Sequence, residues 1–314
     1  MAVLRLDTAH SPGWAHHRLN SGLIFRWTCK GVGVLPLAVS YAIGHVGTWL
    51  AWRTMPRTRA AVAGNLSAIF PDESRRDLER RALSTIRSYA NDVIDFLRAL
   101  DAPEQELALL ADVVDRDRQL FKDLLREGRG LILVTGHYGN WEIGGVLMRR
   151  LFDLPLTVVT MPEVSPEVDR LRRSIRERLG IESIEVRRSL DTPLRIAREL
   201  RENRIVAMLM DRHVDRDRVD VSFLGRTAAF LRTPAMMAYL TGSPLVPCFI
   251  ERMSPGKFRL RPGEPIVVTR DGRREDAIQE AAQRFAEQLE VRIRRHPQYW
   301  YQFYGYWDSQ PPRV

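Results

Sequence analysis

Residues 131–145 read Leu-Ile-Leu-Val-Thr-Gly-His-Tyr-Gly-Asn-Trp-Glu-Ile-Gly-Gly. The uncharged apolar run 131–134 is typical of a strand buried on both faces, and Gly136 ends it just before His137. Asn140 is a residue type that caps helices, so a helix is predicted to begin near it. These features place His137 at the carboxyl end of a strand, which is where open α/β sheets bind ligands.

His137 and Glu142 are five positions apart and form a candidate pair of base and orienting acid. A neutral imidazole can take a proton from a hydroxyl near pH 7, and a carboxylate on its other nitrogen fixes the tautomer. The spacing alone leaves a second interpretation open. His137 could be a satisfied polar residue at a strand end, and Glu142 a solvated acid favoured by the helix dipole.

Strand and helix patterns alternate on both sides of this segment, and no Pro/Gly/Ser-rich linker divides them. The alternation predicts a single α/β domain over 57–314, with a mostly parallel twisted sheet flanked by helices. Further strands are predicted at 157–160, 184–186, 205–210 and 245–250. Helices are predicted to open at 71–74 and 193 and to cover 167–179, 233–240 and 274–295.

Residues 1–56 are predicted to form a membrane-associated segment, with a helix, ahead of this domain. The stretch 31–52 lacks Asp, Glu, Lys and Arg. It could span a membrane, lie in its plane or be buried in the protein. More positive charge follows the stretch than precedes it, which favours a catalytic domain on the cytoplasmic side. No cleavable secretory signal is expected, because the first twenty residues contain Arg5, Asp7 and Arg18 and have no apolar core.

The composition narrows the possible partners. The formal net charge is +9, and 45 of the 48 basic residues are arginines. Such a surface suits anionic lipids or an acidic carrier protein. Nucleic acid is not expected, because acids are interleaved and no nucleic-acid-binding motif is present. Cys29 and Cys248 are far apart, which favours core packing over a disulfide or a thiolate metal site.

Asp211 and Arg212 leave the end of the predicted strand 205–210 and could share a cleft with His137. They could position the hydroxyls or the phosphate of a bound substrate. Alternatively, they could form an ion pair that holds a loop.

His213, Asp215 and Asp217 offer donor types that can hold a divalent ion. Neighbouring arginines crowd positive charge around any cation there, so a solvated loop is the preferred interpretation and no metal is expected.

The hexamer His137–Glu142 resembles the H-x4-D/E motif of the glycerolipid acyltransferases, in the H-x-G-N-W-E/D form of the late lipid A acyltransferases. Their relatives, the phosphatidylinositol mannoside acyltransferases, are similar too. The resemblance covers about 59–300 and includes further matching positions: Asn65-Leu66, Phe70-Pro71, Arg176 with Gly180, Asp211-Arg212, Phe223-Leu224-Gly225 and Pro297-Gln298-Tyr299.

The resemblance implies transfer of a fatty acyl chain from acyl carrier protein or acyl-CoA to a glycolipid hydroxyl, with no cofactor, at the inner (cytoplasmic) membrane. His137 would be the base and Glu142 its partner. The substrate-binding residues would be Asn140, Arg176, Asp211 and Arg212. A lipid A precursor is the expected acceptor. Phosphatidylinositol mannoside or another lipid is the alternative, because lipid A enzymes usually carry Asp-Gln where this chain has Asp211-Arg212.

Direct attack on the thioester is expected, because the chain lacks a G-x-S-x-G nucleophile elbow and neither cysteine adjoins His137. Backbone N–H groups near Gly139 and Asn140 are candidate oxyanion donors. Two other classes remain open: a metal-dependent lipid or phosphate hydrolase that uses the 213–217 cluster, and a membrane-surface binding protein with a vestigial motif.

Overall fold

A computed structural model describes residues 35–100, 102–112, 114–162, 166–186, 191–214 and 216–308. The helices are α1 (Leu37–Thr54), α2 (Pro56–Leu66), α3 (Arg75–Ala99), α4 (Glu104–Leu110), α5 (Asp115–Arg126), α6 (Trp141–Arg150), α7 (Pro166–Arg178), α8 (Asp191–Arg201), α9 (Thr233–Thr241) and α10 (Arg274–Arg295). The strands are β1 (Leu131–Thr135), β2 (Leu156–Thr160), β3 (Glu182–Glu185), β4 (Ile205–Leu209), β5 (Val219–Phe223), β6 (Arg226–Phe230), β7 (Leu245–Ser254) and β8 (Lys257–Pro262).

Six of these strands form one twisted sheet in the order β3-β2-β4-β1-β7-β8. All neighbouring strands are parallel except β7 and β8, which are antiparallel. Strands β5 and β6 form a separate antiparallel hairpin. The prediction of an α/β fold with a mostly parallel sheet and flanking helices is confirmed.

Strand β1 lies inside the sheet, and all five of its residues are buried. Its alternate side chains enter two different cores, because successive residues of a strand point to opposite faces. Ile132 and Val134 pack in the core that contains α2, α8, α9 and α10. Leu131 and Leu133 pack in the core that contains α3 to α7. This double burial explains why the strand is an uncharged apolar run rather than an alternating one.

Most element boundaries follow local signals in the sequence. Ser74 caps α3 through a hydrogen bond from the N–H of Asp77, and Gly242 ends α9 in a left-handed conformation. The strand predicted at 245–250 continues to Ser254 because β8 folds back against it. The hairpin of β5 and β6 was not predicted. Strand β5 alternates apolar and polar residues over only five positions, and β6, Arg-Thr-Ala-Ala-Phe, does not alternate.

Of the predicted amino-terminal segment 1–56, the structure describes the part from residue 35 onward, which includes α1. Residues 1–34, including Cys29 and the start of the 31–52 stretch, lie outside the described residues, and the membrane association of the segment stays a prediction. Helix α1 packs along α3, where the Tyr41 hydroxyl donates to the Asp95 carboxylate. Across the described part of the chain, no helix combines the length and apolar character that crossing a membrane requires.

Candidate active site

The parallel pairing of β1 and β4 brings two residues of the sequence motifs together. In this pairing Thr135, the last residue of β1, is opposite Leu209, the last residue of β4. His137 and Asp211 each follow two positions later, so both lie just beyond the carboxyl edge of the sheet. The chain then leaves β1 for α6 on one face and leaves β4 for the hairpin and α9 on the other. Such divergence opens a crevice at the strand ends.

His137 is held by Asp211 through two hydrogen bonds. The ring Nδ1 lies 2.7 Å from Asp211 Oδ1, and the backbone N–H of His137 donates to Asp211 Oδ2 at 2.9 Å. A carboxylate can only accept, so Nδ1 carries the proton and the neutral ring presents Nε2 as its basic nitrogen. Asp211 is completely buried, whereas the His137 side chain is 16% exposed. The ring is therefore oriented from inside the protein and accessible from outside.

The local charges keep this pair in the state that a general base needs. Burial and the Arg212 guanidinium lower the pKa of His137 below its ordinary value, although Asp211 opposes them. Burial would raise the pKa of Asp211, but its interaction and hydrogen bonds with His137, together with the Arg212 guanidinium, outweigh burial and lower this pKa. At neutral pH the imidazole is thus neutral and the carboxylate is ionised.

Glu142, the partner expected for His137 from the motif spacing, makes a different contact. Its carboxylate lies 3.5 Å from the guanidinium of Arg172 on α7. Among the described residues, the carboxylate that hydrogen-bonds the His137 ring is Asp211. The motif spacing could not show this, because the contact joins residues from two neighbouring strands. Glu142 lies in the first turn of α6, where the helix dipole favours a negative charge.

Glu142 and Arg172 line a cleft beside the histidine. The cleft encloses ≈ 490 Å³ of empty space, including the part open to solvent. Its remaining lining is mostly apolar and aromatic and comes from α3, the start of α6 and the carboxyl-terminal segment: Tyr89, Asp92, Val93, Phe96, Leu97, Gly139, Asn140, Trp141 and Tyr301. The Trp141 ring also meets the His137 ring edge to face, with centroids 5.3 Å apart. The cleft therefore adjoins His137.

Asn140 and Gly139 shape the turn between β1 and α6. The Asn140 amide caps α6 by accepting from the N–H of Ile143 and donates to the carbonyl of Asp92 at 2.8 Å. Both ends of this buried side chain are thus engaged within the protein. Gly139 has φ +62°, and its N–H donates to Tyr299 O at 2.9 Å, so that N–H is already used and is a poor oxyanion donor.

Arg212, expected to bind substrate, contacts the carboxyl-terminal segment. Its Nε donates to Gln302 Oε1 at 2.8 Å, and its Nη2 donates to Tyr301 O at 2.9 Å. The guanidinium also lies over the Tyr304 ring. Gln302 in turn donates from Nε2 to Asp211 Oδ2 at 2.8 Å. The sequence analysis did not identify Gln302. This residue lies in an aromatic-rich segment about 90 residues after Asp211, and no local pattern distinguishes it there.

The other predicted residues occupy more peripheral positions. Arg176 is half-buried near the end of α7, one turn after Arg172. Asp217 accepts a hydrogen bond from the Thr233 hydroxyl, and Asp215 lies outside the described residues. Within the described ranges, no group of three or more His, Cys, Asp and Glu side chains is arranged to hold a metal ion.

A neutral histidine held by a buried carboxylate, beside an apolar cleft at the edge of an α/β sheet, has the chemistry that could activate a hydroxyl near an apolar substrate. The chain belongs to the bacterial lipid A biosynthesis acyltransferase family, whose model matches residues 21–308. It is therefore an acyltransferase.

Similar proteins include two mycobacterial enzymes. The chain is 30% identical to the phosphatidylinositol mannoside acyltransferase of Mycolicibacterium smegmatis over 230 residues, covering 70% of this chain and 72% of that protein. It is 26% identical to the phosphatidylinositol mannoside acyltransferase of Mycobacterium tuberculosis over 297 residues, covering 85% of this chain and 87% of that one. Both relatives support an acyltransferase that acts on glycolipids.

Proposed function

We propose that this protein transfers a fatty acyl chain from the thioester of acyl carrier protein or coenzyme A to a hydroxyl group of a membrane glycolipid. The observation that carries the proposal is the state of His137. Its Nδ1 is occupied by Asp211, and its side chain remains accessible beside an apolar cleft. This arrangement leaves Nε2 to meet the acceptor.

The reaction needs one proton acceptor and no covalent enzyme intermediate. Nε2 of His137 takes the hydroxyl proton as the acceptor oxygen attacks the thioester carbonyl. Asp211 stabilises the imidazolium that forms. When the tetrahedral intermediate collapses, the C–S bond breaks and the departing sulfur receives the proton from Nε2. The products are an ester and a free thiol, and His137 returns to its neutral form.

The cleft beside His137 is the proposed site of the donor. Val93, Phe96 and Leu97 supply apolar surface for an acyl chain, and each buried CH₂ contributes about 0.8 kcal/mol. Arg172 and Glu142 provide polar groups at the same cleft. We place Arg176, one turn from Arg172, among the residues that bind the polar part of a substrate.

For the acceptor we propose a mannosylated phosphatidylinositol. Two observations support it. The chain is similar to two phosphatidylinositol mannoside acyltransferases, and Arg212 follows Asp211 where the lipid A enzymes that the motif resembles usually carry Gln. A lipid A precursor, the acceptor first expected from the motif, is the second candidate because the matching family model is that of lipid A acyltransferases.

We also propose that α1 lies against the membrane surface on the cytoplasmic side. Five large apolar side chains of α1 are exposed: Val39, Ile43, Val46, Trp49 and Leu50. Most of them recur at helical spacing, so they form one face. Arg53, Arg57 and Arg59 follow this face and suit anionic lipid headgroups.

The acceptor and donor are tested together with purified protein in detergent. Acyl carrier protein and coenzyme A, each carrying a labelled acyl chain, are offered with phosphatidylinositol mannoside or with a lipid A precursor. We expect the mannoside to be acylated by wild type and not measurably by His137→Ala. Acylation of the lipid A precursor alone would select the second acceptor, and full turnover by His137→Ala would refute the mechanism.

Membrane association is tested by flotation with vesicles containing anionic phospholipid. Ile43→Asp with Val46→Asp should reduce the bound fraction, because both side chains are exposed on α1. Leu240→Asp is the matched control, since Leu240 is also exposed but belongs to α9. Equal flotation of wild type and the α1 variant would exclude this face as the contact.

A further inference from the structure

A segment near the carboxyl terminus crosses the active-site edge of the sheet. We name residues 299–306 the carboxyl-terminal strap. The N–H of Tyr301 donates to His137 O at 2.7 Å, and the N–H of Gly139 donates to Tyr299 O at 2.9 Å. The strap is therefore joined by backbone hydrogen bonds to both sides of the residue that follows the catalytic histidine.

One strap side chain, Gln302, reaches the carboxylate that holds His137. Gln302 is 1% exposed, and its Nε2 donates to Asp211 Oδ2 at 2.8 Å while its Oε1 accepts from Arg212 Nε at 2.8 Å. The direction of the amide is determined by its partners. Arginine can only donate and a carboxylate can only accept, so a flipped amide would lose both hydrogen bonds.

Asp211 is fully engaged as a result. Its Oδ1 faces the His137 ring, and its Oδ2 accepts from the His137 N–H and from Gln302. The Tyr306 hydroxyl donates to the backbone carbonyl of Asp211 at 2.6 Å. Removing one donor from a buried carboxylate costs the hydrogen bond and leaves the charge less well solvated.

A buried side chain on α2, Asn65, binds three further backbone groups of the strap. Asn65 donates from Nδ2 to Gln302 O at 3.0 Å and to Tyr304 O at 2.8 Å. Its Oδ1 accepts from the N–H of Tyr306 at 2.8 Å. Asn65 thus fixes the strap backbone from the Gln302 carbonyl to the Tyr306 N–H. No other amino acid of its size offers two donors and an acceptor in this geometry.

We propose that Gln302 is a positioning residue for acyl transfer, which orients the Asp211 carboxylate and through it the His137 ring, and that Asn65 holds Gln302 in place. Gln302 is buried and touches Asp211 rather than substrate. Its removal should therefore lower kcat and leave KM nearly unchanged. The expected change in kcat rests on the proposed function. The expected effect of Gln302 on the orientation of the His137 ring does not.

Kinetics of two substitutions provide the first test. Gln302→Leu has a similar size but removes both the donor to Asp211 and the acceptor for Arg212. We expect kcat to fall about tenfold to a hundredfold, the range for loss of a hydrogen bond to a charged group. Gln302→Glu places a second carboxylate beside Asp211 and also binds Arg212. This change favours the protonated imidazole, so the acid limb of kcat/KM should move to higher pH.

The second test reads the His137 ring directly. In protein labelled with 15N at histidine, with assignment by His137→Ala, wild type should show the neutral tautomer protonated at Nδ1. Gln302→Leu should weaken that signal through mixing of tautomers. Asn65→Ala should act in the same direction as Gln302→Leu. Phe303→Leu, which changes packing on the same strap without touching Asp211, is the control and should keep the wild-type ring signal.

The outcomes separate this inference from the proposed function. The inference would be overturned if Gln302→Leu left the His137 ring signal and the pH profile unchanged and lost activity only in proportion to the fraction of unfolded protein. Gln302 would then have only a structural role. A ring signal that changes as expected, in a protein that acylates no glycolipid, would support the positioning role and refute the proposed function instead.

Discussion

The ring of His137 and the carboxylate of Asp211 are joined by a hydrogen bond of 2.7 Å, although the residues are 74 positions apart in sequence. Asp211→Asn removes the charge that stabilises the imidazolium. It also replaces one of the two accepting oxygens with an NH2 donor, so the tautomer of His137 is no longer fixed. We expect kcat to fall by about 10²- to 10⁴-fold, as for loss of general-base function. Circular dichroism should show that the fold is kept. Turnover within threefold of wild type would contradict the role given to Asp211.

Glu142→Gln should behave differently from Asp211→Asn, because Glu142 contacts Arg172 and not the His137 ring. We expect reduced kcat/KM with an acid limb of the pH profile unchanged from wild type. Arg172→Gln is the matched control, since it removes the other half of the same contact and should have a similar effect. A shift of the acid limb in Glu142→Gln would show that its carboxylate acts on the histidine after all.

The difference between these two acids shows what the sequence could and could not predict. Local signals identified β1, the α6 cap at Asn140 and the position of His137 at a strand end. They also placed Asp211 after a strand and near the same cleft. The hydrogen bond itself depends on β4 lying next to β1 in matching register, which is a property of strand order and not of local pattern. The hydrogen bond between Gln302 and Asp211 joins residues 91 positions apart, and no local pattern predicts it.

The pH dependence of activity follows from the lowered pKa of His137. We expect kcat/KM to be constant between pH 7 and pH 8 and to fall on the acid side with a midpoint below the ordinary value of about 6.5. Asp211→Asn removes a group that raises this pKa, so its midpoint should lie lower still. A wild-type midpoint above 7 would contradict the electrostatic description of the site.

The same shift predicts how stability changes with pH. The folded pKa of His137 is below its unfolded value, so the unfolded chain takes up the proton first. This contribution to stability is complete above about pH 6.5 and is lost as pH falls toward the folded pKa. Urea unfolding of wild type and His137→Gln should therefore show a smaller acid-induced loss for the variant. An identical loss in both proteins would exclude this linkage.

Gly139→Ala should destabilise the protein, because alanine would have to adopt the left-handed backbone conformation of Gly139 and its Cβ would meet a neighbouring strand. Gly139 has φ +62°, and an added Cβ would overlap the carbonyl oxygen of Ile250 on β7. Strain of this kind costs on the order of 1–3 kcal/mol. Gly64→Ala in α2 is the control: nothing lies near its Cβ, and replacing a helical glycine should stabilise by about 0.5–1 kcal/mol. Equal midpoints of urea unfolding for the two variants would contradict this prediction.

Arg252 on β7 forms ion pairs with two buried carboxylates on α3, those of Asp92 and Asp95. Arg252→Met leaves both acids without their ion pair, and we expect a loss of about 3–5 kcal/mol in the free energy of unfolding at pH 8. Arg198→Met, which removes an exposed ion pair with Glu202, should change stability little.

The loss in Arg252→Met should shrink in acid. Burial raises the pKa of Asp92 to about 6 even with Arg252 present. A raised folded pKa means that stability is complete below the unfolded value of about 3.9 and is lost as pH rises through about 6. Without Arg252 the carboxyls bind protons still more readily, so urea unfolding at pH 4.5 should show a smaller difference between variant and wild type than at pH 8. An equal difference at both values would mean that the buried acids are solvated or paired in another way.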